Sequence, residues 1–306
     1  MKNNRIWLIA LGLILVGGIL GVVGYASGAS TGVRWDRGGI RAIGGRNDLL
    51  EMSDTYDTVS SITIDHDVGN VTLEPSYDGS FGYSLQYNDD IEPIVDYSDG
   101  KLRIVTKAPN YNGWGSFGFN IGPFSGEYEN NLTVYYPEGA EFYFGDIQCA
   151  LGQISIDGAD FERLTAEADM GQITVKNVNS GKTVVIAHMG KVELYGVTAG
   201  AADITANMGA VECRDVSLSG NSSIELSMGA LNYRGTVSGE LNVEANMGAV
   251  ELRLEDGLDN YDFDLDCDMG SVYFGGREMG GDYTSRSSAA NLIKVKSNMG
   301  AIKVSE

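Results

Sequence analysis

The sequence predicts an all-β chain: a parallel β-solenoid of about 19–20-residue coils with an N-terminal β subdomain, preceded by one transmembrane helix. Three observations carry this expectation. A Met-Gly pair recurs through the second half of the chain. Apolar and polar residues alternate on both sides of each pair. Glycine is abundant at 42 residues, proline scarce at 5, and tyrosine numerous at 16, a mix that suits strands and tight turns better than helices.

Taken in order, the chain opens with Lys2 and Arg5, then "IWLIALGLILVGGILGVVGYA", residues 6–26, with no charge until Arg34. About 20 apolar residues span a bilayer as a helix, whereas a cleaved signal peptide has an apolar region of about 7–15. The run is expected to be a signal anchor, with 1–5 as a cytoplasmic tail. The placement that follows is a bacterial cell membrane, single-pass, with the body extracytoplasmic. The four arginines that follow the run oppose this orientation under the positive-inside rule, so a cytoplasm-facing tethered scaffold is an alternative. Residues 27–58 read as a linker, a solvated basic spacer.

The formal charge is −21. Residues 1–46 hold six basic residues and the single acid Asp36, which leaves 15 basic and 41 acidic residues for 47–306, a net of −26. Such a body repels phosphate backbones, so nucleic acid is excluded as a partner class.

Residues 59–140 are expected to form the N-terminal β subdomain, which caps and nucleates the solenoid. "SITIDHDVGNVTLEP" carries Gly69 with Val71 and Leu73 in repeat positions. The runs "GYSLQYN", "KLRIVTK" and "NLTVYYPEGAEF" read as strands. A glycine- and aromatic-rich loop, 108–131, has no period. A loop of that length is commonly functional. Tyr111, Trp114, Phe117, Phe119 and Phe124 are the candidate interaction residues; the alternative is that they cover an open end of the sheet.

Residues 141–306 hold the solenoid repeats. The corner glycines are Gly152, Gly171, Gly190, Gly209, Gly229, Gly248, Gly270 and Gly300, spaced by 19, 19, 19, 20, 19, 22 and 30 residues. Two residues after each stands Ile, Val or Leu, as in Ile154, Ile173, Val192 and Val211. Positions five, three and one before the glycine, and two and four after it, are expected to face inward. One residue is lost to phase at the corner, where glycine accepts φ > 0. Coils stack in chain order, and the insertion 275–292 lengthens the last one and shields its final strand. Cys149, Cys213 and Cys267 fall in core columns and read as inert fillers. Met170, Met189, Met208, Met228, Met247, Met269 and Met299 form one column. Soft thioethers suit Cu(I), but Leu151 and Val68 share the column, so the expectation is packing at the corner, with no metal and no cofactor. His66 and His188 sit in corner columns with no evident partner.

With "SSITIDHDVGNVTLEPSYDG", "DGKLRIVT", "NLTVYYPEGAEF" and recurring corners such as "ALGQISIDG" and "DMGQITVKNV" in view, the chain from about 59 to 306 resembles the bacterial β-strand-repeat family of unknown function labelled "putative adhesin". Many relatives carry Ser-Gly or Gly-Asp at the corner, where this chain uses Met-Gly. The resemblance implies an envelope-associated β-repeat protein and supplies no catalytic residues.

The function expected is therefore non-enzymatic: a membrane-anchored cell-envelope protein presenting a β-solenoid for interaction, in an adhesin-like, envelope-stress or scaffold role. Its partners would be the membrane, through the N-terminal helix, and an envelope protein or cell-wall polymer. A polysaccharide-acting β-helix enzyme is the alternative, disfavoured because no convergent catalytic cluster is legible.

Overall fold

The computed structural model describes residues 32–36, 39–43, 49–88, 91–107, 117–120 and 130–306, with backbone alone at 32–36, 39–43 and 117–120. The chain divides into two compact units: Met1–Leu50 with Asn88–Asp90 and Pro109–Glu129, and Glu51–Tyr87 with Ile91–Ala108 and Asn130–Glu306.

In the smaller unit the described strands form one antiparallel three-stranded sheet, with Gly32–Asp36 between Gly39–Ile43 and Phe117–Asn120. Trp35 stands opposite Phe117 and Val33 opposite Phe119. Part of the expected spacer is thus strand, because "GVRWD" and "GIRAI" are short β-type runs. The expected transmembrane segment 6–26 lies outside the described residues. Among the described residues no helix is long and apolar enough to cross a membrane, which overturns the expected single-pass placement with an extracytoplasmic body.

The larger unit is built on one 16-stranded sheet. Its centre is a parallel ladder of long strands, Glu141–Asp157, Asp160–Lys176 and Asn179–Tyr195, followed by Ala202–Leu254. The register sets Gly152 opposite Gly171, Gly171 opposite Gly190, and Gly190 opposite Gly209. Ile154, Ile173, Val192 and Val211 align in the same way. The column of Ile154 is buried, as are Ile147, Ala166, Val185 and Ile204 before the corner. Alternation of period two therefore buries one face of each strand, and like residues stack on like. The three cysteines are buried and unpaired by disulfide.

The ladder departs from chain order at its far end. Gly248 pairs with Gly300, and Gly300 pairs with Gly270. The last strand of the chain, Asn291–Ser305, is inserted between Ala202–Leu254 and Tyr261–Phe274. The expected shielding of the final strand is corrected accordingly. Tyr261–Phe274 is the strand left at the edge, and Arg277–Gly280 and Asp282–Ser285 pair with it antiparallel. Parallel pairing depends on matching columns and not on chain order, so a connection long enough to cross one layer permits the exchange.

The near end shows the same exchange. Ser61–Val68 and Asn70–Pro75 lie between Glu141–Asp157 and an outer layer made of Lys101–Thr106 and Asn131–Tyr136. Ile94–Ser98 pairs antiparallel with Lys101–Thr106, and Phe81–Tyr87 with Asn131–Tyr136. Leu50–Tyr56 follows on Phe81–Tyr87, so the end of the expected linker is also strand. Large aromatic side chains gather at both ends. Tyr136 and Phe161 flank Phe142 at ring distances of 5.3 and 5.2 Å, and Phe274 lies between Phe263 and Tyr283 at 4.9 and 4.3 Å.

Candidate functional site

Each Met-Gly corner is fixed by its glycine. Gly171, Gly190, Gly209, Gly229, Gly248 and Gly300 have φ between 143° and 152°. A β-carbon on Gly190 would lie 1.6 Å from the carbonyl oxygen of Gly171, and one on Gly248 would lie 1.5 Å from that of Gly229. Gly270 meets Gly300 at 1.7 Å in the same way. Both the backbone conformation and the close approach of the layers exclude other residues. The residue before the glycine does not fill the bend. Met170, Met189, Met208, Met228, Met247 and Met299 are 40–43% exposed, Met269 is 63% exposed, and Leu151 continues the row at 40%. The expected inward orientation one residue before the glycine is wrong, because the chain turns there and places that side chain on the outside of the bend.

Two histidines mark this corner row, and both have partners, contrary to expectation. His66 is buried. Its Nε2 lies 3.2 Å from the carbonyl oxygen of Asn130, and Thr106 Oγ1 contacts Nδ1. A neutral ring satisfies both, donating from Nε2 and accepting at Nδ1. Thr106 and Asn130 close the strands on either side of 107–129, so His66 ties the two stems of that excursion together. Burial lowers the His66 pKa, opposed by its hydrogen bond to Asn130.

His188 is at the surface. Its Nε2 lies 3.5 Å from Glu167 Oε1 and 3.8 Å from Asp169 Oδ1. The side-chain amide of Asn207 lies 2.9 Å from Nδ1. Donor atoms of Glu167, Asp169 and His188 all fall within 4.8 Å of one another, a spacing at which one ion could be held. Asp169, His188 and Asn207 occupy the same column of successive repeats. Reading that column from layer to layer would have found the group; reading along the chain separated its members by 19 residues.

A different edge of the ladder carries a groove of about 540 Å³. Glu141, Asp160, Asn179 and Thr198 are aligned by the register. Asn179 donates to Asp160 Oδ1 at 2.8 Å. Beside them Tyr143, held by its N–H on the Ser60 carbonyl at 2.8 Å, is 68% exposed. Gly181 lies bare in the lining, and a β-carbon there would meet the Glu162 carbonyl oxygen at 2.7 Å. The groove thus combines one exposed aromatic side chain, a row of short polar side chains and backbone in its lining. The sequence reading missed it because the residues lie at strand starts, one per repeat, with no local motif.

Of the expected interaction residues, Tyr111, Trp114 and Phe124 lie outside the described residues. Phe117 and Phe119 occupy alternate positions of Phe117–Asn120, which the register joins to Gly32–Asp36.

Comparison with known proteins follows the architecture. No curated protein matches the chain. The crystal structure of a putative adhesin from Parabacteroides merdae aligns with a TM-score of 0.50 at 10% identity, covering 86% of this chain and 98% of that one. A putative adhesin from Bacteroides fragilis aligns with a TM-score of 0.47 at 15% identity over 84% and 97%. A putative lipid binding protein from Parabacteroides distasonis gives 0.45 at 11% over 85% and 98%. A family model described as Toastrack DUF4097 matches residues 59–305, the repeats together with their end strands, and the chain belongs to that family.

Proposed function

We propose that the chain is a non-enzymatic recognition scaffold, a β-solenoid of about 19–20-residue coils whose groove at Tyr143 binds a neutral, hydroxyl-rich polymer of the cell-wall glycan type. The exposed Tyr143 ring beside the aligned Glu141–Asp160–Asn179–Thr198 column carries this reading. A sugar ring offers an apolar face to the aromatic and hydroxyl pairs to carboxylate and amide groups, which accept and donate in turn. The column repeats with each layer at about 4.8 Å, so a linear polymer can lie along it. The acidic body disfavours polyanions.

Isothermal titration of the full chain with soluble neutral glycan fragments tests the reading. Tyr143→Ala is expected to weaken binding about tenfold or more, the effect of removing a central aromatic anchor. Unchanged binding in that variant removes the groove from the account. Appearance of new reducing ends on prolonged incubation overturns the non-enzymatic reading and makes the carboxylates of the groove catalytic.

A further inference from the structure

The thioether row has no role in the glycan reading, and at 40–43% exposure Met170, Met189 and Met208 are only partly used in packing. Met170 pairs with Met189 and Met189 with Met208 in direct register. All three are 40–43% exposed, so methionine side chains line the surface in neighbouring layers. Layers in a sheet are about 4.8 Å apart. A metal–sulfur bond is about 2.3 Å, so one ion bridging two sulfurs in line spans about that same distance. Methionine has three flexible torsions with which to adjust. An independent observation lies at the same bend: Nε2 of His188 faces Glu167 and Asp169, and His188 and Asp169 directly precede Met189 and Met170. The Asn207 amide at Nδ1 steers that ring. The Asn207 Nδ2–H donates to Nδ1, which leaves the ring proton on Nε2 facing the carboxylates; a metal at Nε2 requires that proton to move to Nδ1 and the amide to turn its oxygen toward it.

We propose that this bend is a soft-metal site, in which the thioethers of Met170, Met189 and Met208 bind Cu(I), and His188, backed by Glu167 and Asp169, adds a nitrogen donor at its edge. Thioethers select Cu(I) over hard divalent ions. Competition from thiols is weak. Burial pushes Cys149 up to about 11 and Cys213 up to about 12, so both stay protonated at neutral pH. The acidic body draws cations toward the surface. Binding involves no electron transfer: Cu(I) enters as Cu(I), and the neutral sulfurs release no proton.

The test is anaerobic titration of the full chain with Cu(I) against a chromogenic chelator, repeated with Ag(I) as a redox-inert substitute. X-ray absorption of the loaded protein reads the neighbours of the metal. The variant replaces Met170, Met189 and Met208 with leucine, which conserves volume and apolarity. The wild type is expected to bind with sulfur neighbours, the triple variant about tenfold or more weakly, and His188→Ala with a smaller loss and no nitrogen neighbour. Far-UV circular dichroism checks that the variants keep the wild-type fold. Should the triple variant fail to fold, hydrogen peroxide oxidation of the wild type serves instead. Ag(I) should then slow sulfoxide formation at these three methionines. Equal affinity in the triple variant, sulfur neighbours that persist in it, binding of Zn(II) in preference to Ag(I), or no protection from oxidation would each overturn the proposal.

Discussion

The two ends of the parallel ladder are reached by the same detour and finished differently. At the near end the first parallel strands of the ladder, Ser61–Val68 and Asn70–Pro75, lie in the second layer; the chain moves out to Lys101–Thr106 and Asn131–Tyr136 and returns to the third layer at Glu141. At the far end it passes from Leu254 to the outermost strand, Tyr261–Phe274, and comes back to end in the second layer. Neither the first nor the last parallel strand of the ladder is left as an edge, and both outer parallel layers are covered by antiparallel strands, the standard protection against pairing with another molecule. The far end keeps the Met-Gly bend in its outer layer, and Met269, with a methionine on one side only, is the most exposed of the row. The near end replaces the bend with the excursion 107–129 and fastens its stems through buried His66. A cap needs only local hairpins; where a bend is opened for an insertion, a buried polar clamp takes over the work that glycine does elsewhere.

The interior sets the scale against which the ends are judged. Gly229→Ala places a methyl group on a carbonyl oxygen 1.5 Å away at φ 147°, and is expected to cost more than about 4 kcal/mol or prevent folding. Gly139→Ala, with nothing within 4 Å, should cost about 1 kcal/mol, its backbone strain alone. Chemical denaturation of the pair separates contact from conformation.

Next in size, Phe142→Ala and Phe263→Ala should each cost about 3–5 kcal/mol, since both rings are buried in aromatic groups. Hydrogen exchange should rise at Phe81–Tyr87 and Asn131–Tyr136 for the first, and at Tyr261–Phe274 for the second. Uniform loss of protection along the ladder in either variant would mean that the ends do not unfold separately.

Arg286→Ala tests the lighter cap. Its guanidinium donates to the Phe263 carbonyl at 2.8 Å and pairs with Asp264 at 3.1 Å, but it is half exposed. A loss of about 1 kcal/mol is expected, together with faster exchange in Asp282–Ser285.

The smallest effect belongs to the clamp and depends on pH. The folded-state pKa of His66 is lowered by burial, so the unfolded chain takes up the proton first, near its ordinary value of about 6.5. The clamp's contribution is full above that pH and is lost as pH falls through it toward the folded value. The drop in melting temperature from pH 7.5 to pH 5.5 should shrink in His66→Gln. An unchanged drop would place the pH dependence elsewhere.

Much of this was legible in the repeat columns. Ile154, Ile173, Val192 and Val211 were assigned to one buried column from spacing alone, because a period-two face and a corner glycine leave no other register. The exchange of layers at the far end left only a trace, in the longer steps to Gly270 and Gly300. Columns match any partner layer equally well, so sequence order cannot rank them. Met170 and its counterparts were placed inside because the bend was assigned to the glycine, when it begins one residue earlier; one residue of phase reverses the face. Tyr143 was invisible for a simpler reason: its partners in the groove come from four other layers, at Ser60, Asp160, Asn179 and Thr198, and nothing near it in the chain announces them.

The detours at the two ends have a consequence for how such a chain can change length. The caps sit in the outer layers, while between Glu141 and Leu254 each layer contacts its two neighbours through the same columns. Duplication or loss of one interior unit, such as the 19 residues from Gly190 to Met208, leaves both caps and their fastenings untouched. Length is therefore an editable property of the molecule, adjustable in steps of one unit, with the ends serving as fixed terminals of a variable ruler.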